Sequence, residues 1–322
     1  MKKLYFVMIL VFVCSISGFA GSGNTSGVVL LEPLGARSIG LSGACSSLSG
    51  DVTFLHYNPA SLSDLKIQEI SLLYYNSGTT GINYGSITYG QSVGFGNAAI
   101  SVAYLNAGEM DLNFIDGSTA TVISESDIIG SVSIGIPLGD KLSIGASAKA
   151  LYSTLVGSKS ALGIGGDAGI RYSNFMLEGL NVGVSVLNIG MGLKYLDTTE
   201  GMPMAIQGGA SYMLNNIIPD LNIMAALDGV YLMSDKLFEV RTGIEGSYKE
   251  FSGRIGMPFN STDDASFTVG VGYKLDEFLF DYGAVFGKAL GLTHRISMGM
   301  KFGDVNADEV KPKQKKNGNQ KT

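Results

Sequence analysis

The sequence lacks several residue types that mark common classes of protein. Among its 322 residues there is no tryptophan, and there are only two histidines and two cysteines. Cys14 lies in the apolar stretch that opens the chain, so Cys45 has no partner for an internal disulfide once that stretch is removed. His56 and His294 cannot form a metal centre with the one remaining cysteine. We therefore expect no disulfide, no metal site and no cofactor.

Catalytic and nucleic-acid-binding patterns are missing as well. A hydrolase of the β-barrel type needs a histidine held against a carboxylate or a serine in a cleft of the barrel. His294 is the only histidine in a suitable position, and no serine or aspartate motif accompanies it. The glycines at 163–166 and 270–272 lie inside alternating patterns rather than at a strand-to-helix turn, so they do not predict phosphate loops. Acidic residues outnumber basic ones, 28 to 22, which argues against nucleic acid as a partner. We predict that the protein is not an enzyme.

Long apolar runs are absent except for one at the start of the chain. Lys2 and Lys3 precede an apolar run over residues 4–13, and small residues follow at 18–20, which are the three parts of a secretory signal. The run is shorter than the ~20 residues that a membrane-spanning helix needs. We predict a signal peptide over residues 1–20. A lipoprotein signal at Cys14 is disfavoured because a bulky valine precedes it where processing needs a small residue.

The rest of the chain is dominated by a period of two. Apolar residues alternate with glycine, serine and charged residues, so each strand has one apolar and one polar face. About fourteen such runs have the length of roughly ten residues that a tilted membrane strand needs. We predict an all-β fold, a transmembrane antiparallel β-barrel of about 14 strands within residues 66–302. The predicted strands are 67–76, 82–90, 95–106, 126–138, 141–155, 159–173, 179–188, 203–214, 220–233, 237–248, 250–257, 265–275, 278–287 and 293–302.

The connections between these strands differ on the two sides. If the first strand runs outward, the longest connections, 107–125, 189–202 and 258–264, all fall on the outer side. Tight turns such as Gly139-Asp140 and Asp276-Glu277 fall on the inner side. Long outer loops and short inner turns are typical of outer-membrane barrels. With an even strand number, both ends of the barrel chain would be periplasmic.

Ahead of the strands lies a segment of small, nearly uncharged residues, 35–65, that is too short to form a domain. We predict that it packs in the barrel lumen, as part of a hatch over residues 21–65. Arg37 is the only lysine or arginine between Gly21 and Asp64, so it is expected to pair with an inward carboxylate, with three candidates left open: Asp228, Glu239 and Glu245. By strand parity, the charged side chains predicted in the lumen are Asp228, Glu239, Arg241, Glu245 and Arg295.

The segment ahead of the strands and the last strand both resemble those of a known family. Gly35-Ala36-Arg37, the small run 40–49 and Tyr57-Asn58-Pro59-Ala60 resemble the N-terminal motif of the PorV/PorQ family, outer-membrane barrels related to the FadL fatty-acid transporters. Tyr57 stands where a tryptophan would be expected. The last strand resembles the C-terminal signal of such barrels, with one apolar face formed by Ile296, Met298, Met300 and Phe302.

The resemblance implies a bacterial outer-membrane location and two functions that the sequence leaves open. The first is a component of protein secretion or surface assembly, of the type IX kind, with cargo or machinery proteins as partners. The second is a FadL-like channel that passes hydrophobic small molecules. Membrane lipid is a partner in both. Residues 303–322, rich in lysine and polar residues, are expected to be a disordered periplasmic tail.

Overall fold

The computed structural model describes residues 26–77, 81–260, 267–287 and 291–303. The predicted signal peptide, and the predicted tail beyond Gly303, lie outside the described residues. Within these ranges no helix has the length and apolar character needed to cross a bilayer.

Fourteen strands form a closed antiparallel barrel, in the order β1-β2-β3-β6-β7-β8-β9-β12-β13-β14-β15-β16-β17-β18 and back to β1. This confirms the predicted fold class and strand number. The strands are β1 Gln68–Ser77, β2 Ile82–Ser92, β3 Asn97–Asn106, β6 Glu125–Leu138, β7 Leu142–Leu155, β8 Lys159–Tyr172, β9 Leu180–Met191, β12 Ala205–Ile218, β13 Leu221–Leu232, β14 Leu237–Tyr248, β15 Phe251–Asn260, β16 Phe267–Leu275, β17 Phe278–Gly287 and β18 Gly291–Phe302.

Two small hairpins lie outside the barrel order, both within connections expected to be loops. They are β4 Glu109–Asn113 with β5 Thr119–Ile123, and β10 Leu193–Lys194 with β11 Thr199–Glu200. The strand predicted to end at residue 188 continues to Met191. These differences concern the ends and connections of strands and leave the barrel order unchanged.

The barrel has a short-turn end and a long-loop end. At the short-turn end, β12–β13, β14–β15 and β16–β17 are joined by two residues each. Asp220, Lys249 and Asp276 adopt left-handed backbone conformations there, with φ of 65°, 53° and 51°, which tight hairpin turns require. Gln68 of β1 pairs with Phe302 of β18 at the same end, so the chain enters and leaves the barrel there.

The outward and inward faces follow the predicted parity. Val184 on β9 is 56% exposed, whereas the next residue, Ser185, is 1% exposed. The outward face is apolar on strand after strand, as a lipid-facing surface requires. Its exposed members include Leu72, Ile87, Ile100, Val132, Ile170, Ile206, Ile244, Ile255, Val271 and Ile296.

Residues 26–65, the described part of the predicted hatch, pack against the inner face of the barrel. This segment contains one α-helical turn, α1 Ala36–Gly40, and 3-10 turns at Val28–Leu31, Val52–His56 and Pro59–Asp64. Helix α1 contacts β15–β18, whereas the turn at Pro59–Asp64 contacts β3, β6, β7 and β8. Since those strands lie on different sides of the barrel, the segment spans the lumen.

The wall is irregular where β8 meets β9. The register shifts between Gly166 and Ala168, and Asn188 of β9 adopts a left-handed conformation with φ of 56°. The backbone N–H of Asn188 donates to Asp167 Oδ1 at 2.9 Å, and Lys149 Nζ lies 2.9 Å from the other carboxylate oxygen. This bulge therefore has its own buried ion pair. The irregularity is centred on an asparagine.

Candidate functional site

The lumen contains a charged network that joins the hatch to the wall. Arg37 Nη2 lies 2.8 Å from Glu245 Oε1, and its Nε donates to Glu245 Oε2 at 3.0 Å. Arg254 Nε donates to the same Oε2 at 2.5 Å, and its Nη1 lies 2.6 Å from Asp281 Oδ1. Asp51 of the hatch is 3.8 Å from Arg37 Nη1. Three carboxylates and two guanidinium groups thus alternate in sign from hatch to wall.

The charge of Arg37 is stable in this position. Burial alone would lower the pKa of its guanidinium, but Glu245 and then Asp51 raise that pKa above its ordinary value. The group is therefore cationic at any physiological pH. Of the three carboxylates that the sequence left open for it, the structure places Glu245 against Arg37.

The other residues of the hatch motif are held by backbone contacts. The N–H of Ala36 donates to Ser297 Oγ at 3.2 Å, and Gly35 precedes it in an extended conformation. The carbonyl oxygen of Tyr57 accepts hydrogen bonds from Ser185 Oγ, at 2.6 Å, and from the amide of Gln207. Three wall strands, β9, β12 and β18, thereby hold the motif.

The turn at Asn58-Pro59-Ala60 is fitted closely to the wall. Asn58 Nδ2 donates to the carbonyl oxygens of Ser46 and Ile170, and Asn58 Oδ1 accepts from the N–H of Ala60. A Cβ added at Gly145 would be 2.3 Å from Ala60 N, and one added at Gly169 would be 2.0 Å from Asn58 Oδ1. Glycine at these two wall positions therefore makes room for the turn.

The remaining predicted lumen charges divide into two groups. Asp228 Oδ2 accepts from the backbone N–H of Ser46, and Arg295 Nη2 lies 3.1 Å from Glu32 Oε2, so both contact the hatch. Glu239 and Arg241 pair with each other within β14, at 3.2 Å. The structure therefore brings Asp228, Glu245 and Arg295 to the hatch, and Glu239 and Arg241 to one another.

The short-turn end of the lumen is polar and partly open. A cavity of about 230 Å³ lies between the hatch and strands β14–β18, which we call the polar vestibule. Besides Arg37 and Glu245 it is lined by charged and small polar side chains, among them Ser247, Lys249, Ser252, Lys274 and Lys301. Water and small ions can enter here as far as the charged network.

The opposite part of the lumen is apolar. Towards the long-loop end, the inward face of β1–β8 carries large apolar side chains in place of the polar ones that parity predicted. We call this surface the apolar wall: Leu73, Tyr75, Tyr84, Ala103, Leu151 and Ala161. Residues 26–34 of the hatch, which we call the strap, cover it with Val29, Leu30 and Leu34. The expectation of a uniformly polar inner face was therefore wrong for this region.

Between the strap and the apolar wall there is one small cavity, of about 20 Å³, which is room for a single water molecule. His56, Tyr84 and Lys149 lie among its lining residues. Desolvation, and then the charge of Lys149, lower the pKa of His56 from 6.5 to about 3. The imidazole is therefore neutral at physiological pH.

The loop between β9 and β12 covers the strap from the long-loop end. Within this segment, residues 192–204, which we call the lid loop, Leu193 is 0% exposed and Met202 is 4% exposed. Met202 packs over Gly163 and Gly165 of β8. Sequence reasoning missed the lid loop and the apolar wall. The sequence did contain a signal for the wall, since Leu72-Leu73-Tyr74-Tyr75 places apolar residues on both faces of the strand.

The C-terminal motif lies on the other surface of the barrel. Ile296 is 62% exposed on the outward face, as is Met298 to a smaller degree, and Phe302 stacks on Tyr89 with ring centroids 6.3 Å apart. Met300 belongs to the same outward set. These residues do not contribute to the lumen. Among the described residues, no group of three or more histidine, cysteine, aspartate or glutamate side chains could hold a metal ion.

Cys45 offers a direct probe of the hatch. Its side chain is 0% exposed, and desolvation raises the pKa of the thiol, which keeps it in the unreactive protonated form. We expect maleimide to label Cys45 very slowly in the folded protein. Labelling should accelerate in Arg37→Gln, which loses the link to Glu245, and stay slow in Lys274→Gln, a vestibule cation of similar size. Equal rates in the two variants, measured by intact mass, would contradict the anchoring role of Arg37.

Comparison with known proteins establishes the fold. No protein-family model matches the sequence, and neither does any curated protein. The fold is similar to the toluene transporter TodX of Pseudomonas putida, with a TM-score of 0.61 and 13% identity over 89% of this chain and 100% of that one. It is also similar to the toluene transporter TbuX of Ralstonia pickettii, with a TM-score of 0.57 and 15% identity over 85% and 99%. A Pseudomonas aeruginosa FadL homologue gives 0.52 and 12% over 84% and 99%. The barrel therefore has the fold of FadL-type transporters.

Proposed function

We propose that the protein is an integral outer-membrane channel for hydrophobic small molecules. The observation that carries the proposal is the apolar wall. A barrel lumen in contact with water on both sides has no reason to expose Leu73, Tyr84 and Leu151 inward, because that surface costs free energy when wet. Here the strap keeps it dry. An uncharged organic molecule that replaced the strap would meet a preformed apolar surface.

The distribution of charge indicates the path through the lumen. The alternating network of Arg37, Glu245 and Arg254 occupies the side of β14–β17, where an apolar molecule would have to displace paired charges. The apolar wall occupies β1–β8. On β1–β3 the only charged side chain that faces inward is Glu69, near the short-turn end, whereas β7 and β8 carry the ion pair of Lys149 and Asp167. The favourable path for a hydrophobic molecule therefore runs along β1–β3, from the long-loop end inward. Solved barrels of this fold are described as toluene transporters and a monoaromatic hydrocarbon channel, which supports the same class of substrate.

The same proposal includes an orientation of the barrel in the membrane and a division of the chain into four segments. The apolar outward face is in lipid, the long-loop end faces the medium, and the short-turn end with both chain ends of the barrel faces the periplasm. Residues 1–20 are a signal peptide, 21–65 the hatch, 66–302 the barrel and 303–322 a periplasmic tail. The secretion role implied by the PorV/PorQ resemblance is less favoured, because a barrel that only docks cargo on its outer loops needs no apolar wall inside.

Uptake of an apolar fluorescent probe tests the proposal. Phenylnaphthylamine, which fluoresces on reaching lipid, is added to intact cells that express the protein or carry an empty vector. We expect faster entry with the protein than with the vector. Ala103→Asp, which puts a carboxylate on the apolar wall, should slow entry. Ser252→Asp, which puts the same group in the polar vestibule, should leave the rate unchanged.

Folding of each variant is checked by heat-modifiable mobility on a gel, so that a lost barrel is not read as a blocked channel. A rate for the folded native protein no higher than the vector rate would reject the function. Equal rates for Ala103→Asp and Ser252→Asp would reject the path along β1–β3.

A further inference from the structure

The lid loop is attached to the strap by the backbone of both segments. The N–H of Ser26 donates to the carbonyl oxygen of Gly201 at 3.2 Å, and Ser26 Oγ donates to the carbonyl oxygen of Glu200 at 3.2 Å. Gly27, the next residue, is in contact distance of Leu193 and of Leu151 on the wall. The strap and the lid loop therefore form one layered cover over the apolar wall.

Four hydrogen bonds among the described residues hold the lid loop to the barrel. Two come from the connection after β13, where the N–H of Met233 donates to the carbonyl oxygen of Met204 at 2.9 Å and Ser234 Oγ donates to that of Met202 at 3.5 Å. The other two, which we call the latches, involve Tyr195 and Asn188. Tyr195 donates from its hydroxyl to Ser153 Oγ at 2.7 Å. Asn188, at the bulge where β9 bends, donates from Nδ2 to the carbonyl oxygen of Pro203 at 3.1 Å. One latch lies in the turn of the β10–β11 hairpin, and the other follows the hairpin at Pro203. The hairpin itself is joined by only two residue pairs, so its own strands contribute little to holding it in place.

The geometry points to a gate: we propose that the lid loop and the strap open together, as one unit, to admit substrate at the long-loop end. This inference rests on the proposed function, since it names the moving part of the same path. The unit is held by the two latches, the hydrogen bonds from Met233 and Ser234, two strap contacts and apolar packing, without an ion pair in the lid itself among the described residues. The rest of the hatch is anchored by the charged network and stays in place.

A disulfide between the two layers tests the gate. Ser26→Cys and Gly201→Cys are combined in a Cys45→Ala background, so that only the new pair can form. One hydrogen bond, from Ser26 N–H to the carbonyl oxygen of Gly201, brings the two backbones together. A Cβ added at position 201 meets no atom within 4 Å, and a disulfide needs Cβ atoms about 3.5–4.5 Å apart, so a small approach of the two segments closes the bond. Bond formation is verified by intact mass.

The locked protein is expected to admit phenylnaphthylamine no faster than the vector control, and a reducing agent should restore the native rate. Each single cysteine variant should transport normally under oxidising conditions. Native transport by the oxidised double variant, with the disulfide shown to be formed, would overturn the gate. If the native protein itself does not transport, the proposed function fails, and the gate is then judged by a second measurement.

That second measurement needs no transport. Met202→Cys in the Cys45→Ala background reports lid opening through labelling by an impermeant maleimide added outside intact cells. A gate that opens exposes position 202, so labelling should be readily detected, whereas the native Cys45 beneath the closed hatch should remain unlabelled under the same conditions. Protection of the cysteine at 202 as complete as that of Cys45 would show a fixed cover and overturn the inference.

Discussion

Deletion of residues 28–57 is expected to turn a nearly closed barrel into an open pore. Fourteen strands spaced by about 4.8 Å and tilted by about 40° enclose a cylinder roughly 28 Å across between backbones. The hatch fills most of that cylinder and leaves a cavity of about 20 Å³ beside the strap and the polar vestibule of about 230 Å³ at the short-turn end. Without it, planar-bilayer recordings should show a large, steady conductance in place of rare transitions.

The barrel should survive this deletion. The strands satisfy their own backbone hydrogen bonds, and Glu245 keeps its partner Arg254 on the wall. Arg171 likewise keeps Asp64, which lies beyond the deleted residues. The matched control removes residues 109–123, the β4–β5 hairpin at the long-loop end, which is a cut outside the lumen. Conductance at the native level for the 28–57 deletion, in a barrel that still shows heat-modifiable mobility, would remove the hatch as the closing element.

Val184→Arg is expected to destabilise the barrel strongly. The side chain is 56% exposed on the outward face of β9, where a charge would face lipid at a cost of ~2–4 kcal/mol near the membrane midplane. Val184→Leu at the same site should be nearly neutral. The measurement is the denaturant concentration at which half of the barrel in lipid vesicles is unfolded, with the folded fraction read from its mobility on a gel.

The inward control for this prediction needs space in the lumen. Ser185, the neighbour of Val184, is unsuitable because its hydroxyl donates to the carbonyl oxygen of Tyr57 in the hatch, at 2.6 Å. Ser247→Arg points into the polar vestibule instead and should be tolerated. If Ser247→Arg lowers the midpoint as much as Val184→Arg does, then the assignment of outward and inward faces is wrong.

The barrel could be predicted from the sequence because its physical basis is local. A tilted strand with lipid on one side and a filled lumen on the other needs alternation over about ten residues, and this pattern is visible in one strand at a time. Tight turns such as Asp276-Glu277 ended the strands clearly. The hairpin at residues 109–123 was treated as a loop, because a polar connection does not reveal whether its two arms pair.

The lumen was harder to predict because it depends on contacts across the barrel. Parity places Asp228, Glu239 and Glu245 inward alike, but which of them meets Arg37 depends on how the hatch is seated. The apolar wall was missed for a related reason. Parity alone does not show which of two adjacent apolar residues, such as Leu73 and Tyr74, faces inward. The bulge at Asn188 depends on buried Asp167 and Lys149, which lie on other strands.

The seam of the barrel has a consequence for the order of assembly. The first strand begins only a few residues after the hatch, and the ring closes when β1 pairs with β18, the last strand to be synthesised. The hatch is thus made first and must be enclosed before that final pairing, since the closed wall leaves no passage for it. Lys301 of β18 lies 3.4 Å from Glu69 of β1, and its Nζ also donates to the carbonyl oxygen of Gly50 in the hatch, at 2.8 Å. One side chain therefore contacts both the seam and the enclosed segment, so a ring that closed empty would leave Lys301 without its bond to Gly50.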